Sequence, residues 1–168
     1  MTNLKKVAWA VLFTILGGAL AAFAAYRAAP SMMIITGETG MTFDESVARL
    51  EKSIKDNGWE HAGTSRLSES IEKKGYVLGR RVAVVKLCHP EYALSVLKSD
   101  RYLSAMMPCS VAIWEGDDGK VRYSKMNTGL IAPIFGGNVK KVMGGQVSAD
   151  EHKILAVFCA AAEACAKN

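Results

Sequence analysis

The stretch VAVVKLCHPEYALSVL, residues 82–97, joins a predicted strand to a predicted helix. Its first half alternates between two faces, which is typical of a β-strand, and we place this strand at residues 76–87. The two predicted faces are Val82, Val84 and Lys86 on one side and Ala83, Val85 and Leu87 on the other. Pro90 suits the first turn of a helix. The helix residues predicted to face the core are Ala93, Leu94 and Leu97.

The flanking segments predict further strands. Residues 110–114 and 120–126 surround Gly116-Asp117-Asp118-Gly119, which is a strong hairpin signal. Residues 32–36 predict a first strand because their branched side chains favour a pleated surface. Strands and helices are mixed without regular βαβ alternation, so the predicted class is α+β.

Two capping boxes predict the main helices. Thr42 with Glu45 predicts a helix that ends at Asn57-Gly58. Ser148 with Glu151 predicts the second part of a last helical region, after a break at Gly144-Gly145. The residues of this last helix predicted to be buried are Ile154, Leu155 and Phe158. Residues 127–137 are predicted to form a loop.

The N-terminus predicts a retained membrane anchor. Lys5-Lys6 precede an uncharged run, residues 7–26, which spans about 30 Å as a helix. The lysines should stay in the cytoplasm and place the C-terminal part in the periplasm or outside. A cleaved signal peptide is the alternative, because Ala22-Phe23-Ala24 resembles a cleavage site. The predicted organisation is a cytoplasmic tip with a single-pass transmembrane helix, residues 1–29, a breaker at Pro30, and an exported domain, residues 30–168.

Small residues recur on this helix at four-residue spacing, namely Gly17, Ala21 and Ala25 together with Gly18 and Ala22. Such residues let helix backbones approach closely. The predicted seam would pack against a second copy, giving a homodimer, or against another subunit of a membrane complex. The alternative is that these residues are alanine-rich filler.

The charge balance argues against a nucleic-acid partner. The chain has 21 basic and 16 acidic residues, and three of the basic residues but none of the acidic residues lie before Pro30. The remaining residues are therefore almost balanced in charge. Because no long basic run is interleaved with aromatic residues, we expect no nucleic-acid binding.

Four residues form the candidate ligand set: Cys88, His89, Met107 and Cys109. Cys88 ends one predicted strand and Cys109 opens another, so the two could form a disulfide, share a metal or redox site, or simply pack. His89 and the cysteines would suit Cu(I), and His89 with Met107 would suit haem iron. The alternative for His89 is a helix-entry residue satisfied by backbone or water. We expect no resident cofactor, with haem or copper as the alternative.

Other chemistry has weaker support. Cys159 and Cys165 are about 9 Å apart on a straight helix, too far for a disulfide, so both are predicted to be unbridged. No CxxCH, HExxH, CxxC or GxSxG motif is present. Gly136-Gly137 and Gly144-Gly145 flank Lys140-Lys141 and suggest either phosphate binding or, as the favoured interpretation, a hinge. The expectation is a protein without evident catalysis.

The order of these landmarks resembles the family called "domain of unknown function 302". The likeness rests on residues 42–59, on residues 84–97 with VVKLCHP, and on residues 107–120 with MPCSVAIWE. His89 and Met107 stand where that family usually has asparagine and leucine. The resemblance implies a small α+β fold of the TATA-box-binding-protein-like type, often dimeric, and implies no activity.

Two functions follow as expectations. The first is a membrane-anchored accessory or interaction subunit outside the cytoplasm. The alternative is a ligand-binding or redox module that holds haem, copper or a sulfur species near Cys88, His89 and Cys109.

Overall fold

The computed structural model describes residues 2–159, and the chain divides into two compact units between Met33 and Ile34. The first unit is a single helix, α1 (Thr2–Met33), which continues through Pro30. Pro30, which the sequence predicted to be a breaker, is therefore inside a helix, and Met32 and Met33 end that helix instead of starting a strand. Pro30 removes one backbone hydrogen bond close to the end of the helix, where few further bonds depend on it.

Helix α1 is long and apolar enough to cross a bilayer. Residues Lys6–Met33, 28 in all, contain a window with mean hydropathy 2.1, and none of that window is buried. By length and composition the helix fits a membrane span or a signal sequence. The residues of the predicted seam, Gly17, Gly18, Ala21, Ala22 and Ala25, are exposed, and their role in helix packing stays a prediction.

The second unit is built on a five-stranded antiparallel sheet in the order β1-β5-β4-β3-β2. The strands are β1 (Ile34–Glu38), β2 (Glu60–Arg66), β3 (Val82–Cys88), β4 (Cys109–Glu115) and β5 (Val121–Met126). The hairpin predicted around Gly116-Asp117-Asp118-Gly119 joins β4 to β5 and is confirmed. The predicted α+β class is also confirmed.

Helical segments complete the unit. They are α2 (Phe43–Asp56), α3 (Leu67–Glu72), α4 (Pro90–Ser99), a 3-10 helix (Arg101–Met106), α5 (Thr128–Phe135), α6 (Gly137–Lys141), a π-helix (Val142–Val147) and α7 (Ser148–Cys159). Helices α2 and α7 pack together, and α2 contacts the sheet.

The hydrophobic core lies on one face of the sheet, as the alternation predicted. The buried face of β3 carries Ala83, Val85 and Leu87. It meets the apolar stripe of α2, which includes Leu50 and Ile54, and the predicted residues Ile154, Leu155 and Phe158 of α7. The opposite face of β3 remains half-buried.

Several boundaries differ from prediction. Strand β3 begins at Val82 and not at Tyr76, because residues 76–81 form an exposed loop. On α4 the buried residue is Val96, whereas Leu94 is exposed. Helix α2 begins at Phe43 as predicted, but the Thr42 side chain makes no capping hydrogen bond. Thr42 instead uses its carbonyl, which accepts a hydrogen bond from Ser46 Oγ at 2.8 Å.

The region predicted as a loop at residues 127–137 contains α5. The Asn127 side chain caps this helix by accepting a hydrogen bond from the Leu130 N–H at 3.2 Å, and Pro133 lies inside it.

The predicted break at Gly144-Gly145 is also wrong, because the π-helix runs through both glycines and directly into α7. A Cβ atom at Gly144 would lie 3.3 Å from Ala132 Cβ, so glycine lets α5 pack closely here.

Candidate functional site

The predicted ligand residues meet at one end of the sheet. Leu87 of β3 lies opposite Cys109 of β4 in the antiparallel register. The residues after Leu87 and those before Cys109 therefore leave the sheet side by side. Together they line a small apolar cavity, the sulfur recess, defined by Trp59, Cys88, His89, Tyr92, Met107, Cys109 and Met143. Its free volume is about 20 Å³, enough for one water-sized species.

The cysteines in the recess do not form a bridge. Cys88 and Cys109 both carry free thiols. Side chains alternate along a strand, so Cys109 shares the face of Leu87, its partner, whereas the neighbouring Cys88 starts from the opposite face. Cys159, in contrast, is disulfide-bonded. The prediction that Cys159 is unbridged is therefore wrong. It assumed a straight helix through Cys165, which lies outside the described residues.

Both free thiols are held in their protonated form. Burial raises the pKa of Cys109 to about 12, with smaller contributions from the negative charge of Glu151 and from Cys88. Burial and the charge of Glu60 also raise the pKa of Cys88. Because the thiolate is the nucleophile, these two residues are poorly suited to nucleophilic catalysis at neutral pH.

His89 lies in a cluster of aromatic rings. Its imidazole stacks on Tyr92, with ring centroids 4.0 Å apart, and meets Trp59 edge-to-face at 5.5 Å. His89 Nδ1 is buried and has no hydrogen-bond partner among residues 2–159. A buried polar group without a protein partner is unfavourable by about 1–3 kcal/mol. No described protein group thus satisfies His89 Nδ1, and water is the partner that the alternative interpretation leaves.

Tyr92 is itself held by a carboxylate. The Tyr92 hydroxyl donates to Asp150 at 3.1 Å, and Lys153 Nζ donates to the same carboxylate at 2.8 Å. The hydrogen bond from Lys153 lowers the pKa of Asp150, and burial followed by the bond to Asp150 raises the pKa of Tyr92. Helix α7 therefore orients the Tyr92 ring and, through stacking, the His89 imidazole.

A second apolar cavity adjoins the first. This methionine recess is lined by Met106, Met107, Met126 and Met143, together with Leu103 and Phe135, and its free volume is also about 20 Å³. Met107 and Met143 line both recesses. Sequence reasoning identified Met107 but not the other three, because they come from separate elements with no common motif. Met106, Met107 and Met143 pack against the core, as methionines that fill irregular gaps commonly do.

The structure places the predicted metal ligands around one recess and gives the prediction no further support. Within residues 2–159 no group of three or more His, Cys, Asp and Glu side chains could hold a metal ion. Cys88, His89 and Cys109 therefore line one recess without converging on a point. Thioether sulfurs are a further class of soft ligand, and Met107 and Met143 present two of them here. The roles of His89, Met107 and the cysteines as ligands stay predictions.

A buried ion pair borders the recesses and was not anticipated. Lys125 Nζ of β5 lies 2.6 Å from Glu151 Oε2 of α7, with side chains only 2% and 4% exposed. Thr128 Oγ1 donates to the same oxygen at 3.0 Å. Glu151 is thus a buried acceptor that ties β5 to α7, and not the capping residue that the sequence predicted.

Comparisons with known proteins give a family and a fold. The sequence profile described as "Domain of unknown function DUF302" matches residues 35–156. A solved structure titled "Crystal structure of uncharacterized conserved protein DUF302 from Bacillus stearothermophilus" is similar with a TM-score of 0.68 and 17% identity, over 76% of this chain and 98% of that chain. None of the curated proteins matches. At this identity the structural likeness shows the fold alone.

Proposed function

The chain belongs to the DUF302 family, and from that premise we propose that it is a membrane-anchored subunit without catalysis whose domain binds a partner protein outside the cytoplasm. The family description names no activity, so the proposal is argued from this chain's own surfaces. We also propose the TATA-box-binding-protein-like type as the finer description of the fold, as the family resemblance implies.

The observation that carries the proposal is helix α1. Its apolar window is entirely exposed in a chain whose other unit has a complete core of its own. Exposed apolar surface of this length is stable in lipid and unfavourable in water. Lys5 and Lys6 precede the span, and positive charges favour the cytoplasmic side, which supports a domain on the outer side.

An exposed loop supports the role in partner binding. Between α3 and β3, Tyr76 and Val77 are 71% and 87% exposed. Gly75 and Gly79 flank this apolar tip with positive φ angles of 85° and 75°, a conformation that favours glycine. The tip precedes Val82, which pairs with Trp114 at one end of the sheet, whereas Ile34 lies at the other end. The tether and the tip therefore lie at opposite ends of the domain.

Four cations border the tip. Arg80 pairs with Asp117 and Arg81 with Glu115. Lys73 and Lys74 are exposed and form no ion pair with any residue among 2–159. An apolar tip bordered by unpaired cations is complementary to an acidic surface with an apolar pocket. We therefore propose a partner protein with such a surface.

The test is crosslinking in native membranes, followed by mass spectrometry. The full-length protein should recover one reproducible partner, and the double variant Tyr76→Ser, Val77→Ser should lose it. Leu94→Ser, which changes an exposed apolar residue on α4, is the matched control and should retain the partner. Recovery of uncrosslinked monomer alone, at native abundance, would contradict the proposal.

A second candidate function is a module that holds a soft metal ion, since a recess of about 20 Å³ has no room for a haem. It is favoured by one observation: the buried, unpartnered His89 Nδ1 borders a recess lined by two thiols and two thioethers. Sulfur and imidazole together suit Cu(I). Metal analysis of anaerobically purified protein tests this candidate, and the absence of stoichiometric metal would contradict it.

A further inference from the structure

The end of the domain that follows the tether carries an exposed apolar surface. Ile34, the first residue of β1, is covalently next to Met33 and pairs with Met126 at the end of β5. Helix α5 begins two residues later, at Thr128. The start of α5 is therefore close to the point where the chain leaves the apolar helix.

This surface is continuous. Met126 and Phe135 line the same methionine recess, and the Phe135 ring lies 6.5 Å from the ring of Tyr102. Ile134 is 78% exposed and Tyr102 is 64% exposed. We name this surface the interfacial patch, and its exposed members are Ile34, Tyr102, Met126, Leu130, Ile134 and Phe135. A contiguous apolar patch of this kind on a folded domain indicates a contact with another apolar phase or partner.

Two lysines lie beside the patch. Lys140 and Lys141 are exposed and border an open recess of about 460 Å³ together with Gly129 and Pro133 of α5. Neither lysine forms an ion pair with any residue that the structure describes. The glycines considered in the sequence as a phosphate loop or a hinge, Gly137 and Gly144-Gly145, line this same recess. The patch thus combines apolar side chains with unpaired positive charge.

The chain length limits how far this end can lie from a bilayer. If residues 7–26 occupy the hydrocarbon, eight further residues to Ile34 add about 12 Å as helix. The polar headgroup layer on each side of a bilayer is about 5–8 Å thick. Helix α1 ends at Met33 and strand β1 begins at the next residue, Ile34. The covalent connection thus keeps Ile34 within about 12 Å of the hydrocarbon, close to the outer edge of the headgroup layer.

We propose that the interfacial patch rests on an anionic phospholipid bilayer. Ile134 and Leu130 enter the boundary between headgroups and acyl chains, where the amphipathic ring of Tyr102 is also favoured. Lys140 and Lys141 bind phosphate groups of anionic lipids at the recess beside α5. The inference rests on the proposed membrane anchor and adds a second contact with the same membrane.

The test uses the full-length chain in nanodiscs that contain phosphatidylcholine and roughly one-third phosphatidylglycerol. A photoreactive p-benzoylphenylalanine replaces one residue at a time, and mass spectrometry identifies the adduct. Ile134→p-benzoylphenylalanine should give a phospholipid adduct. Val77→p-benzoylphenylalanine, equally exposed at the opposite end of the sheet, should give none. Leu16→p-benzoylphenylalanine reports whether the anchor itself is in lipid.

The lysine contribution is tested in the same sample. Lys140→Glu with Lys141→Glu should lower the phosphatidylglycerol adduct at position 134 by about fivefold. Lys73→Glu with Lys74→Glu, the matched pair at the other end, should leave it unchanged. A lipid adduct at position 16 with none at 134, or a protein crosslink at 134 instead, would overturn the inference while the anchor stands. No lipid adduct at position 16 would overturn the anchor and the inference with it.

Discussion

Leu87 and Cys109 are directly opposed across the antiparallel pair of β3 and β4. This register places His89 and Met107, each two residues beyond one member of the pair, on the rim of a single recess. The recess is small, apolar and lined by protonated thiols, thioethers and stacked rings. These properties suit a structural contact or a soft ligand better than hydrolytic chemistry, and they lead to the first two predictions.

A substitution at His89 distinguishes a structural role of the recess from a role in ligand binding. His89→Phe keeps a ring to stack on Tyr92 and removes the buried Nδ1 that has no partner. We therefore expect unchanged or higher thermal stability, because an unsatisfied polar atom is lost. If the second candidate function holds, the same variant should lose stoichiometric binding of Cu(I) in a competition titration. His152→Phe, at an exposed position on α7, should bind as the parent does.

Cys109 should make stability decline in alkali. Its pKa is raised from 9.0 to about 12 in the folded state. Between these values the folded state holds a proton that the unfolded state has released, so the free energy of unfolding falls as pH rises. Relative to Cys109→Ala, the parent should lose about 1 kcal/mol between pH 7 and pH 10 in urea unfolding. Parallel stability curves for the two proteins would show that the thiol does not control this range.

The ion pair between Lys125 and Glu151 should tolerate removal of both charges better than removal of one. Glu151→Gln leaves the buried ammonium of Lys125 without its counter-charge, and we expect a loss of about 3–5 kcal/mol in the free energy of unfolding. Lys125→Met combined with Glu151→Leu should recover much of that loss. A double-mutant cycle in urea, with Lys125→Met and Glu151→Leu as its single variants, measures the coupling. Additive single effects would contradict a direct interaction.

Gly37 should be intolerant of a side chain. A Cβ atom there would lie 2.6 Å from the Tyr123 ring, which stacks on the buried Phe158 at 5.2 Å and so has little room to move. Gly37→Ala should therefore reduce the free energy of unfolding by about 1–3 kcal/mol. Thr36→Ala, at the adjacent exposed position, is the control and should change stability by less than about 0.5 kcal/mol.

Periodic segments of the sequence predicted their structure well. The alternation in residues 82–87 identified the buried face of β3 because each side chain of a strand points opposite to the next. The Gly-Asp-Asp-Gly turn identified the β4–β5 hairpin for an equally local reason. Helix α5 was missed because Pro133 and the neighbouring glycines are loop signals, whereas packing against the π-helix and capping by Asn127 stabilise a helix there.

The candidate site was predictable only in part. Cys88, His89, Met107 and Cys109 were singled out because each adjoins a predicted strand end, and the recess does contain all four. Trp59 and Tyr92 left no signal beyond their aromatic character. The pairing of Lys125 with Glu151, and of Tyr92 with Asp150, joins residues far apart in the chain, and neither pair forms a motif.

The sequence by itself determined the apolar N-terminal helix, the α+β class and the faces of the strands, since these depend on neighbours within a few residues. Only the tertiary structure decided which sulfur atoms share a recess, that a lysine and a glutamate are buried together, and that α5 packs against the π-helix. Those relationships follow from the order and register of five strands. Register is set by the packing of the whole core, and no short segment of sequence specifies it.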